Sequence, residues 1–94
     1  MKHLGFIYID YLQSVSIASI QHDDTQTGKF KLQDEFSAKS HWFKSLDELI
    51  SSVKSIDFIK SHVERIKGKS IIVYLYDNKQ ELYSLPPKIY HINY

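Results

Sequence analysis

The stretch SLDELISSVKSIDFIKSHVERIKG, residues 45–68, decides the architecture, because its apolar residues recur at steps of three and four. Leu46, Leu49, Val53, Ile56, Ile59, Val63 and Ile66 trace one stripe along a helix, and that stripe must be covered by another layer. Ser45 precedes Glu48 at the spacing of a capping box. In that motif the Ser hydroxyl accepts from the Glu amide while the Glu carboxylate reaches back to the Ser amide, so the helix is expected to start there. At the other end Arg65 and Lys67 complement the negative end of the helix dipole, and Gly68 tolerates a left-handed cap. The helix is therefore expected to end near Lys67. Ser51, Ser52, Ser55 and Asp57 are middling helix formers, which predicts a kink or break near Ser55–Asp57.

Outward from the helix the periodicity changes to that of strands. Leu4–Ile9 and Val15–Ile20 are rich in β-branched and aromatic residues and read as two strands joined through Asp10–Ser14. The polar segment His22–Lys29 reads as a projecting hairpin tip leading into a third strand, Phe30–Phe36. Beyond the helix, Ser70–Tyr76 is an apolar run of strand length, and Asp77-Asn78-Lys79 turns it toward Gln80–Leu85. Ile89–Tyr94 reads as a short final strand, confined to an edge by Pro86 and Pro87. The expected fold class is α+β: an antiparallel sheet of about five strands (three-strand meander, long helix, then hairpin) with one helix packed on one face. A single domain is expected over residues 1–94.

Composition narrows the function classes. Twelve Lys and Arg against 11 Asp and Glu give a net charge of +1, and there is no cysteine. Disulfide scaffolds and thiolate metal sites are thereby excluded. Arg occurs only at position 65, so bidentate base readout is not expected. The longest uncharged run, Tyr11–His22, is too short to span a membrane, and no signal peptide is read near Lys2 and His3. The expected location is cytoplasmic. Gly5, Gly28 and Gly68 are isolated, so no phosphate-binding loop is present, and no nucleotide or other cofactor is expected.

Histidines at 3, 22, 41, 62 and 91 include no pair at the i, i+4 spacing of a helical metal site. His62 reads as a boundary residue beside the stripe, and His22 as a solvated loop residue. Three acidic residues fall at element ends: Asp10 after the first strand, Glu48 in the first helical turn and Asp77 after the strand that follows the helix. The order strand, strand, strand, helix, strand over roughly the first eighty residues is similar to the opening half of the ribonuclease H-like fold. That resemblance, topological and without a sequence motif, implies a divalent metal gathered by Asp10, Glu48 and Asp77 in a nucleic-acid-processing or nucleic-acid-binding protein. The capping box accounts for Glu48 without a metal, and turns account for Asp10 and Asp77.

The strands themselves carry the other function reading. In Ser70–Tyr76 the residues Ile71, Val73 and Leu75 point one way while Ile72, Tyr74 and Tyr76 point the other, and Phe6 and Tyr8 oppose Ile7 and Ile9 likewise. One helix covers one face, so an aromatic second face invites either internal burial or a partner. Tyr8, Tyr74, Tyr76 and Tyr83 are the expected binding residues, with Asp23 and Asp24 on the projecting tip beside Lys29 and Lys31. The expectation is a small non-enzymatic protein-binding module, an inhibitor or antitoxin-like regulator of the kind encoded by phages and mobile elements, acting by steric occlusion. Its partner would be another protein or a second copy in a homodimer, with nucleic acid the lesser alternative. Ser45→Ala is expected to lower stability by about 1 kcal/mol through loss of the helix cap, measured by urea unfolding.

Overall fold

In the computed structural model the described residues are 2–12, 14–23, 29–76 and 87–94. They form strands β1 (Lys2–Ile9), β2 (Ala18–His22), β3 (Phe30–Asp34) and β4 (Ser40–Phe43), helices α1 (Leu46–Ser52) and α2 (Asp57–Ile66), and strands β5 (Ser70–Leu75) and β6 (Lys88–Asn93). The sheet order is β4-β3-β2-β1-β5-β6, and every neighbouring pair is antiparallel. The α+β class, the antiparallel sheet and the helical layer on one face are as the sequence predicts. Among the described residues no helix is long and apolar enough to cross a membrane.

Three differences from the expectation have local causes, while the break expected near Ser55–Asp57 is present: a 3₁₀ turn at Val53–Ser55 and an extended Ile56 (φ −71°, ψ 128°) carry the stripe onto a second helix. The meander has a fourth strand, β4, which packs only Phe43 inward while Ser40, His41 and Trp42 stay exposed; one apolar contact leaves little periodicity to read. The left-handed residue is Lys67 (φ 60°) rather than Gly68. Gly68 is needed for a different reason, since a Cβ there would stand 2.7 Å from Ile9 Cγ2. Finally, β5 pairs with β6 over Ser70–Leu75 and Asn93–Lys88, while Gln80–Leu85 lies outside the described residues. A fourth strand before the helices and a β5 that runs antiparallel to β1 depart from the element order that suggested the ribonuclease H-like fold.

The helical stripe meets the inward residues of the sheet. Leu49, Val53, Phe58, Ile59 and Val63 pack on Ile7, Ile9, Ile17, Ala18, Ile20, Leu32, Phe43, Ile71, Val73 and Leu75. Burying each large side chain contributes roughly 1.5–3 kcal/mol, so no single contact dominates this layer. At the helix start the Ser45 hydroxyl accepts from the Glu48 amide (3.1 Å), and the Glu48 carboxylate accepts from the Lys44 amide (3.3 Å). The reciprocal half of the box is thus shifted by one residue from Ser45 to Lys44.

β1 carries the tightest constraint. Its register with β2 slips between His3 and Gly5, and a Cβ on Gly5 would lie 2.0 Å from the Tyr74 carbonyl oxygen. That neighbour is backbone in the sheet and cannot rotate away. Gly5→Ala is expected to lower stability by about 3 kcal/mol, the upper end of overpacking costs, read as a fall in the denaturation midpoint.

Candidate functional site

Strand alternation sends Phe6 and Tyr8 of β1, and Ile72 and Tyr74 of β5, to the side opposite the helices. Phe6 is paired with Tyr74 and Tyr8 with Ile72, while Ile89 and His91 of β6 flank Tyr74 and Ile72 on the far side. A shallow cavity of about 370 Å³ is lined by Tyr8, Ile72, Tyr74, Ile89 and His91. Beside it the rings form a continuous band: His3–Phe6 centroids are 4.6 Å apart, Phe6–Tyr8 6.2 Å, Phe6–Tyr76 6.2 Å and Tyr74–Tyr76 6.4 Å. Burial, with a smaller repulsion from Tyr8, raises the Tyr76 pKa above its ordinary value. The Tyr76 hydroxyl is hydrogen-bonded to His3 Nδ1 at 2.5 Å. Farther along the same face Lys31 lies over the Trp42 ring, 5.7 Å from its centroid.

The described strand residues on this face carry no carboxylate. Asp34, the one acidic residue within the described strands, pairs with Ala18 and faces the helices instead. There it forms a second constellation. Asp34 Oδ1 lies 2.8 Å from His62 Nε2, Ser37 Oγ donates to Oδ2 at 2.6 Å, and the Phe36 amide donates to Oδ1 at 3.3 Å. Arg65 donates to His62 Nδ1 at 2.7 Å. A guanidinium can only donate, so Nδ1 is the acceptor nitrogen and Nε2–H is the donor to Asp34. His62 thereby ties α2 to the end of β3. Burial pushes the Asp34 carboxyl up, but the hydrogen bonds from Ser37, His62 and Phe36 outweigh it, and the net pKa lies below the ordinary value.

The expected site residues divide accordingly. Tyr8, Tyr74 and Tyr76 share the aromatic face; Tyr83, Asp24 and Asp77 lie outside the described residues. Asp23 follows the end of β2, where its amide donates to the Lys29 carbonyl at 2.9 Å. His22 is half-buried and stacks on Phe30 (4.4 Å, 13° between planes), a correction to its reading as a solvated residue. Asp10 stands near Gly68 beyond the carboxyl end of α2, whereas Glu48 is engaged at the amino end of α1. Among the described residues no three His, Asp or Glu side chains are grouped to hold a metal ion.

His62 is the residue whose role the sequence reading missed: it is 6% exposed, within the core rather than at its boundary. The signal was present, because Asp34 follows Leu32 at strand spacing and His62 follows Ile59 at helical spacing, which puts both on inward positions. Compared with protein-family models, curated proteins and solved structures, the chain finds no match.

Because the Asp34 pKa is depressed by folding, the stabilisation it supplies is present above its unfolded value near 3.8 and is lost as pH falls through the folded value. Asp34→Asn is therefore expected to flatten the acid limb of the stability profile below about pH 4, followed by thermal unfolding across a pH series.

Proposed function

We propose that this chain is a protein-binding module whose sheet face, bearing Tyr8, Tyr74 and Tyr76, docks on another protein and occludes its surface. The observation that carries the proposal is the unbroken band His3, Phe6, Tyr8, Tyr74 and Tyr76 on the face turned away from the helices. Tyrosine rings offer large contact area while their hydroxyls stay compatible with water, the chemistry enriched at binding hot spots. A face whose described strand residues carry no carboxylate, with Lys31 stacked on Trp42, favours a partner surface that is neutral or acidic. An inhibitor or antitoxin-like regulator acts in this way, through shape rather than catalysis.

Ring contact and hydroxyl chemistry both contribute at Tyr74, which is half-buried beside Tyr76 and between Phe6 and Ile89 of the neighbouring strands. Tyr74→Ala is expected to reduce recovery of the native partner at least tenfold, the scale of a hot-spot truncation, while circular dichroism shows the fold retained. Affinity capture from the native host with wild type and variant in parallel checks this. Equal recovery by both proteins, or saturable binding of single-stranded oligonucleotides to the wild type alone, counts against protein docking on this face.

A further inference from the structure

The ladder at β6 reveals which of its backbone groups have no neighbour among the described strands. The Tyr94 amide donates to the Lys69 carbonyl at 2.9 Å. With the register running from Ser70 opposite Asn93 to Leu75 opposite Lys88, the hydrogen-bonded pairs are 94/69, 92/71, 90/73 and 88/75. The N–H and C=O groups of Ile89, His91 and Asn93 therefore point away from β5, along the outer edge of the sheet.

Sheet edges are ordinarily guarded by charge, proline, bulges or short length. β4, the opposite edge, is four residues long and flanked by Lys39 and Lys44. β6 pairs with β5 without a register shift, and from Ile89 to Tyr94 it contains no Lys, Arg, Asp, Glu or Pro. Ile89, Tyr90 and Tyr94 are 52%, 37% and 43% exposed. Among the described residues the strand is thus an edge whose guarding residues, Pro87 and Lys88, are confined to its start, with apolar side chains on both faces beyond them.

We propose that β6 pairs antiparallel with β6 of a second copy, about a two-fold axis at His91, joining two sheets into one. An axis perpendicular to the sheet preserves its faces, so only a residue can sit at the centre of the pairing. Centred on His91, Ile89 opposes the second copy's Asn93 and the two His91 residues oppose each other. Every outward residue then exchanges both its N–H and its C=O. Centred on Tyr90, the pairing would leave Asn93 without a place and set Lys88 against Ile92. On the helix side the His91 register brings Tyr90 against the second copy's Ile92, an apolar cross-strand pair.

The exposed parts of Ile89, Tyr90 and Tyr94 amount to on the order of 250 Å² per copy, against about 800 Å² per partner in a standard interface. The dimer is accordingly concentration-dependent rather than obligate. This inference goes beyond the proposed docking face and does not require it. The two meet at the cavity lined by Ile89 and His91, which pairing brings to the seam.

Sedimentation velocity of the full chain over a concentration series tests the pairing. The wild type is expected to shift from 11.1 kDa toward twice that mass. His91→Pro removes an outward N–H and no β5–β6 hydrogen bond, a position at which an edge strand tolerates proline. It is expected to remain monomeric with an unchanged circular dichroism spectrum. Should that variant fail to fold, His91→Lys and His91→Glu supply the same test: each alone raises the dimer dissociation constant at least tenfold, and an equimolar mixture restores association. A wild type that stays monomeric to several hundred micromolar, or a dimer indifferent to all three substitutions, overturns the proposal. Phe6→Ala lies two strands from the edge and outside the cavity lined by Ile89 and His91, and is expected to leave dimerisation unchanged whatever it does to partner capture, so the two readings fail separately.

Discussion

Every other contact in this molecule presupposes the seating of β1 between β2 and β5. Ile7 pairs with Ala18 on one side and Val73 on the other, and Ile9 pairs with Ile71, so the chain's first strand lies well inside the sheet. The close approach at Gly5 permits that seating: its missing side chain lets the Tyr74 carbonyl come far inside the van der Waals contact distance of a Cβ. With β1 in place, Ile7 and Ile9 complete the floor on which Ile59 and Val63 rest, and Phe6 and Tyr8 complete the aromatic band on the other side. One strand thus contributes to both the core and the candidate interface.

The two faces of the sheet are chemically segregated. The helical face is aliphatic, relieved by Asp34 and His62, whose polar atoms bond to each other and to Ser37, Phe36 and Arg65. Such a relay resolves the cost of burying a carboxylate by supplying donors for its oxygens. The other face is aromatic, with hydroxyls and imidazoles at its surface and no carboxylate among its described strand residues. Residues that can remain partly wet have been placed where a neighbour can come and go, and residues that cannot are under the helices.

Periodicity made most of this legible. The three-and-four spacing from Leu46 to Ile66 located the helical layer, and the alternation in Ser70–Tyr76 and Leu4–Ile9 separated Ile71, Val73 and Ile7 from Tyr74 and Tyr8. Where a segment makes one inward contact, as β4 does through Phe43, no period exists to detect, and the strand passed unnoticed. The Asp34–His62 contact spans 28 residues and joins two elements, so it depends on a packing arrangement that single-segment patterns do not encode. Gly68 illustrates a subtler ambiguity: helix ends and close packing both favour glycine, and the structure assigns this one to its contact with Ile9 rather than to the left-handed cap.

The position of β1 also sets the order in which the chain can assemble. β1 to β4 are joined in sequence and lie side by side, so their pairings close short loops and form early. β1's second neighbour, β5, arrives only after both helices have been made, which places the highest sequence separation at the middle of the finished sheet. Contacts of that kind slow folding. On the ribosome the meander would carry β1 as a temporary edge, its outward amides waiting for Ile71–Leu75 to emerge. For that interval the strand at the centre of the native sheet is the one most open to pairing with the wrong chain.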